Sequence, residues 1–282
     1  MNEGHMNEGH MNEGHMNEGH MNEGHMNEGN DMTGAMDGPV TLRVDGRLAT
    51  VTLNRPARRN SFDLAMLARF EDVLHRLGRE PGVEVVVLTG AGTAFCAGTD
   101  LDELATLDPA TTMDVQRRTS ELVERWYRLE QTTVTAFNGP AIGSGAVLGL
   151  AADLRVAAET CFLTFPEVGF GIPLTWSGMA ILADLAGADR AKRWVMLGER
   201  IGPEAMLRHE LVTRVVPPGE ELARAAEELA GRLLADPPLG RSMTKRAARV
   251  AGPRFEAVAA DSYMGALSVA LRPEGAYRKA RG

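Results

Sequence analysis

The sequence predicts an α/β fold with a helical C-terminal part. Three observations point there. Short apolar runs of strand type gather in the first part of the chain, amphipathic segments of helical period separate them, and helical periodicity dominates from residue 177 onward. At 282 residues and 44% hydrophobic, the chain is long enough to bury one substantial core.

Val40, Leu42 and Val44 alternate with polar residues, as do Ala49, Val51 and Leu53, with Asp45-Gly46 between them as a type I′ hairpin signal. After Asn54-Arg55-Pro56, Ser61 stands where an N-cap belongs, and Phe62, Met66, Phe70, Val73 and Leu74 follow at helical spacing up to Gly78. Pro81-Gly82 ends that helix. Val83–Leu88 is then nearly continuous in apolar residues, the mark of a strand buried on both faces. The alternation repeats with a long amphipathic stretch over 111–130, a strand over 133–137, a small-residue helix over 144–152, and short strands over 154–158 and 161–164. Helices are expected over 177–187, 189–198, 203–209, 219–235, 238–250 and 254–271, with a β-like run at Leu211–Val216. The organisation is therefore a tail over 1–35, an α/β core over 36–235 and a helical region over 236–282.

The tail stands apart. Residues 1–25 are five copies of Met-Asn-Glu-Gly-His, and a sixth ends in Asn30. Each copy offers one Met as apolar surface, too little to offset the entropy of ordering, so a solvated, disordered segment is expected. A translation start at Met32 or Met36 would omit it. The net charge of −8 owes six units to the glutamates of residues 1–30, which leaves −2 on the rest. A nearly neutral body gives no electrostatic ground for nucleic acid or an anionic membrane as partner. No apolar run long enough to span a bilayer is present, and no secretory leader pattern opens the chain. Cys96 and Cys161 suit a reducing compartment and lack the company a metal site needs, so the expected location is the cytoplasm.

Chemistry concentrates at two glycine turns, each entering a helix. Phe95-Cys96-Ala97-Gly98-Thr99-Asp100-Leu101 follows the buried strand, and Asn138-Gly139-Pro140-Ala141-Ile142-Gly143-Ser144-Gly145-Ala146 follows the next one. Amide N–H groups at such helix starts have no intrahelical partner and favour negative charge. The glycine spacing is wrong for a dinucleotide fingerprint. Two such turns converging on one carbonyl oxygen would form an oxyanion hole.

With Asn54-Arg55-Pro56, Arg59-Asn60, Ala152-Asp153 and Phe165-Pro166-Glu167-Val168-Gly169-Phe170-Gly171-Ile172-Pro173 added, the chain resembles the enoyl-CoA hydratase/isomerase (crotonase) superfamily over roughly residues 40–272. The resemblance implies a crotonase-like (ββα) superhelix core with a C-terminal helical oligomerisation region, and a homotrimer or dimer of trimers. It implies an acyl-CoA substrate, whose coenzyme A is the only cofactor-like group. The amides of Thr99 and Ser144 would hold a thioester enolate. Arg58 or Arg59 would meet coenzyme A phosphates, and the main chain of Ala97–Asp100 would lie along the ligand. Ser144 replaces the family's usual middle glycine.

A typical hydratase of this family has two glutamates across the substrate. The first position here is Val147, and the second is Glu167. One carboxylate suffices to take a proton from one carbon and return it two carbons away, a Δ3/Δ2 double-bond shift. Enoyl-CoA isomerisation is thus expected first, with hydration by the same Glu167 beside it. A catalytically reduced acyl-CoA binder, or a decarboxylase or C–C hydrolase of the same enolate chemistry, is the alternative. Apolar Phe165, Val168, Phe170 and Ile172 should raise the pKa of Glu167. Asp102, Glu103, Glu121 and Glu124, with His75 and His209, read as surface or cap residues.

Overall fold

A computed structural model describes Met1 and residues 36–252. Eight strands and nine α-helices are found among these residues. The hairpin of β1 (Val40–Asp45) and β2 (Leu48–Leu53) is antiparallel and pairs Val40 with Leu53 and Asp45 with Leu48. Its loop is Gly46-Arg47 and only Gly46 has positive φ, +58°. The expected type I′ turn would need both central residues there, so the turn is of another type.

Every further strand of this sheet joins in parallel. β3 (Val85–Gly90), β4 (Thr132–Phe137), β6 (Leu154–Ala158) and β8 (Arg214–Val216) extend it in the order β1-β2-β3-β4-β6-β8. A second, two-stranded parallel sheet pairs β5 (Ala141–Ile142) with β7 (Leu163–Thr164). The expected strand at 83–88 begins two residues late, because Val83 donates its amide to Glu80 in the preceding turn. Both its faces are buried: Val86 and Leu88 enter the main core, while Val85 and Val87 enter a smaller core.

The helices cover these faces. α1 (Leu64–Leu77) buries Met66, Leu67, Phe70, Val73, Leu74 and Leu77 in the main core, beside α3 (Pro109–Tyr127). Its N-cap is Asp63, whose carboxylate accepts from the Met66 amide at 2.7 Å. Ser61, the residue expected there, bonds Asp100 instead. α2 (Leu101–Leu104) is a single turn, and α4 (Ser144–Leu150) is buried along its whole length. Arg155 closes the far end of α4 by donating to the carbonyls of Leu150 and Ala152. α5 (Gly178–Ala186) and α6 (Ala188–Leu197) follow, then α7 (Pro203–Arg208).

On the other face, α8 (Glu220–Ala235) packs Leu222, Ala225, Ala226 and Ala230 over the smaller core. α9 (Pro238–Ala251) is tied to the sheet by charge. Lys245 Nζ lies 2.5 Å from Asp153 Oδ2, and Arg241 pairs with Glu84 at 2.7 Å. No helix among the described residues is long and apolar enough to cross a membrane. The tail over 1–35, apart from Met1, and the expected helix over 254–271 lie outside the described residues.

Candidate active site

The two glycine turns run side by side. The first, 95–99, is held between two neighbours by single parallel bridges, Phe62 to Thr99 and Cys96 to Ala141. Phe62 donates to Gly98 O and accepts from the Asp100 amide, both at 2.8 Å. Parallel pairing of this kind uses the groups flanking Thr99, which turns the amide of Thr99 to the opposite side. Ile142 donates to Cys96 O at 2.9 Å, and Gly143 donates to Thr164 O at 2.8 Å. Ser144 is the first residue of α4, so its amide has no intrahelical acceptor. Ser144 Oγ and Thr99 Oγ1 lie 3.4 Å apart. The structure thus brings Thr99 and Ser144 together.

Tight packing makes glycine necessary on both sides of Ser144. Gly143 has φ +55°, and a Cβ there would collide with Glu167 Oε1. A Cβ on Gly145 would come within 2.5 Å of Cys96 O. Glu167 opens the 3-10 turn Glu167–Phe170 and lies against the second glycine turn, only 8% exposed. Burial pushes its carboxyl up to about 7, against its own backbone N–H and that of Ser144, which favour the charged form. Oε2 has no hydrogen-bond partner among the described residues. Of the apolar residues expected to enclose it, Phe165 is buried but Val168 points outward, 45% exposed. Enclosure comes from the glycine turn more than from its sequence neighbours.

Val147 sits one helical turn along α4 and is fully buried. Its Cγ2 would be 2.7 Å from a Cβ on Gly178, which would also meet Leu174. That side of the site is packed with hydrocarbon.

The remaining sequence-predicted residues spread out. Ala97 is half-buried, and its amide donates to Arg59 O at 2.9 Å. Arg58 and Arg59 are exposed, Arg58 faces Asp102 at 3.5 Å, and Arg59 adopts the left-handed region at φ +51°. The Asp100 side chain is turned inward. It accepts from the Glu103 amide and from Ser61 Oγ, and Arg55 lies 3.3 Å away. Burial opposes its charge, but these donors outweigh that and hold its carboxyl below the usual value. Glu103 caps α1 through the Leu64 amide, and Glu121 and Glu124 pair with Arg117 and Arg128. His75 is exposed, and His209 rests against Trp194.

Three residues that the sequence offered only as parts of the family motifs hold the loops of the site. Arg55 bridges Asp63 at 2.8 Å and Asp100 at 3.3 Å, linking the caps of α1 and α2. Fully buried Asn60 donates to the carbonyls of Ala91, Ala94 and Phe95. Asn138 accepts from the Gly90 amide and donates to Gly92 O and Ala94 O. The two asparagines converge on Ala94 O and so clasp the loop entering the first turn. Their signal in the sequence was membership of the motifs Arg59-Asn60 and Asn138-Gly139-Pro140, with no partner named.

Residues 43–261 match the family model described as enoyl-CoA hydratase/isomerase. The chain is 31% identical over 209 residues to the short-chain-enoyl-CoA hydratase of Clostridium acetobutylicum, covering 74% of this chain and 80% of that protein. It is 34% identical over 209 residues to the 1,2-epoxyphenylacetyl-CoA isomerase of Escherichia coli, covering 72% and 79%. Among solved structures, an enoyl-CoA hydratase from Bacillus anthracis superposes with a TM-score of 0.73 at 28% identity, covering 86% of this chain and 95% of that one. A monofunctional enoyl-CoA isomerase from M. smegmatis gives 0.64 at 28% identity, covering 80% and 98%.

Proposed function

Because the chain belongs to the enoyl-CoA hydratase/isomerase (crotonase) family and has its fold, we propose that it isomerises an enoyl-CoA thioester with Glu167 as its single acid/base. The Glu167 carboxylate takes a proton from C2 of a 3-enoyl-CoA. The electron pair of that C–H bond becomes part of a dienolate, whose negative oxygen receives the amides of Thr99 and Ser144. The Glu167 carboxylic acid then returns the proton to C4, and the double bond ends between C2 and C3. Each oxyanion donor contributes about 3–4 kcal/mol to such a transition state. A carboxyl with a pKa near neutrality is matched to both halves of this transfer.

The observation that carries this reading is Val147. Hydration in the family pattern uses a second carboxylate there to orient water, and this chain has a valine with no exposed surface, packed toward Leu174 and Gly178. A lone carboxylate beside a dry wall suits a proton shuttle better than water addition.

Coenzyme A would lie along the main chain of Ala97–Asp100, with Arg58 and Arg59 toward its phosphates; Asp100 contributes backbone only, since its side chain is committed to Arg55 and Ser61. No cofactor beyond the thioester is needed for the step. The cytoplasm is the proposed location, supported by two free, buried cysteines. The proposed assembly is a homotrimer or a dimer of trimers. Supporting it, Val168, Met196 and Leu197 are exposed on neighbouring elements, the latter two by 64% and 69%.

Incubation of the purified chain with 3-enoyl- and 2-enoyl-CoA tests the reaction. The expected product of the former is the conjugated thioester, followed by its ultraviolet absorbance, and Glu167→Gln should remove at least 99% of the rate. Conversion of 2-enoyl-CoA to the 3-hydroxyacyl thioester without 3-enoyl turnover would replace isomerisation by hydration. Unchanged turnover by Glu167→Gln would remove the mechanism.

A further inference from the structure

The two-amide reading leaves the side chains of Thr99 and Ser144 unused, and both carry hydroxyls. Of residues 143–145, position 144 alone has room for a side chain, since Cβ atoms at 143 and 145 would strike Glu167 and Cys96. That room is filled by a group reaching across to the first turn. Ser144 Oγ would lie 3.1 Å from a Cβ on Gly98 and is 3.4 Å from Thr99 Oγ1.

A hydroxyl pair normally closes to about 2.7–2.8 Å when one bonds the other well. At 3.4 Å the two oxygens satisfy each other poorly. Neither has another hydrogen-bond partner among the described residues. Each hydroxyl brings one hydrogen, so the pair holds at least one donor free. Thr99 is half-buried and Ser144 is 5% exposed, so the first of the two still meets solvent. The two hydroxyls belong to the same residues whose amides are read as the enolate site, one on each turn.

We propose that the Thr99 and Ser144 hydroxyls act together as a third oxyanion donor, aimed at the thioester oxygen beside the two amides. This rests on the reading of those amides as the enolate site. It assigns a catalytic purpose to the serine that stands where the family pattern has glycine. The enolate is held more tightly in a chain that has one carboxylate in place of two.

The test compares Ser144→Ala, Thr99→Val and Thr99→Ser with the parent chain, using 3-enoyl-CoA turnover and the affinity of a saturated short-chain acyl-CoA. Ser144→Ala and Thr99→Val should each lower kcat on the order of 100-fold, the usual loss for one side-chain donor of an oxyanion hole. The affinity for the saturated thioester should change by no more than about twofold, because a neutral carbonyl gains far less than an enolate. Thr99→Ser, which keeps the hydroxyl, should restore most of the rate. The double variant should lose less than the product of the single losses, since both groups serve one oxygen. Should Ser144→Ala fold poorly, Thr99→Val reads the same donor from the other turn. Wild-type kcat in Thr99→Val and Ser144→Ala, with Glu167→Gln inactive, overturns the hydroxyl pair and leaves the enolate reading standing. Wild-type kcat in Glu167→Gln overturns both.

Discussion

Glu167 has an oxygen without a hydrogen-bond partner and a side chain that water scarcely reaches, and both raise the cost of its negative charge. The direction of the resulting pH dependence follows from its role. The reaction begins with the carboxylate, so kcat/KM should rise with pH and level off above about 7, the value to which burial lifts the group. At pH 5 only about 1% of such a carboxyl is ionised, and the rate should fall to about a hundredth of its plateau. A pH–rate profile measures this, and a rate constant from pH 5 to 8 contradicts a carboxyl of raised pKa. At this scale the sequence was informative where chemistry follows residue type. Glu167 within Pro-Glu stood out by its carboxyl, while Thr99 and Ser144 stood out by position, as amides at two glycine turns, and their hydroxyls did not. Side-chain direction was not legible: Asp100 turns inward to Arg55, and Val168 turns outward, because long-range packing decides both. Arg55 was hidden for the same reason, as its partners are 8 and 45 residues away along the chain.

The glycine turns work as a pair because the elements around them are fixed from several sides. Asn60 and Asn138 take up carbonyls of the loop from Ala91 to Phe95, and single bridges seat the first turn between Phe62 and Ala141. Helix α4 carries both Ser144 and Val147, so the donor and the apolar wall move as one body. Val147→Glu should therefore fail to convert the chain into a hydratase. An ionised carboxylate beside Leu174 and Gly178 has neither space nor partner, and the variant should lose about 3–5 kcal/mol in urea unfolding without gaining 3-hydroxyacyl product. A stable variant that hydrates 2-enoyl-CoA would show instead that the wall yields. The long helices and the buried strand were legible because their periodicity extends over many residues. β5 and β7 were not, since two residues carry no period, and β7 emerged much shorter than the run over 161–164. The cap of α1 was misplaced by two residues because Ser61 and Asp63 are both good capping types, and Ser61 is taken by Asp100.

Over the whole molecule, the α/β class was legible, while its closure by charge was not. α9 holds to the sheet through Lys245 with Asp153, Arg241 with Glu84 and Arg246 with Glu130, contacts between residues at least 92 positions apart. No local pattern announces such partners. The same helix leaves Leu239, Met243 and Val250 exposed, and α6 leaves Met196 and Leu197 exposed. Apolar surface of this kind is expected to be covered by other copies of the chain. Sedimentation equilibrium of the purified protein should return three or six times the chain mass, and a species of single-chain mass at micromolar concentration would remove the proposed assembly. The Arg241–Glu84 contact also sets a schedule for biosynthesis. Glu84 and Arg241 are 157 residues apart, so at about 5–20 residues per second a ribosome needs about 8–30 s to deliver the second partner. During that interval the nascent sheet has its α9-facing end bare, and a chaperone that shields it would act before α9 leaves the exit tunnel.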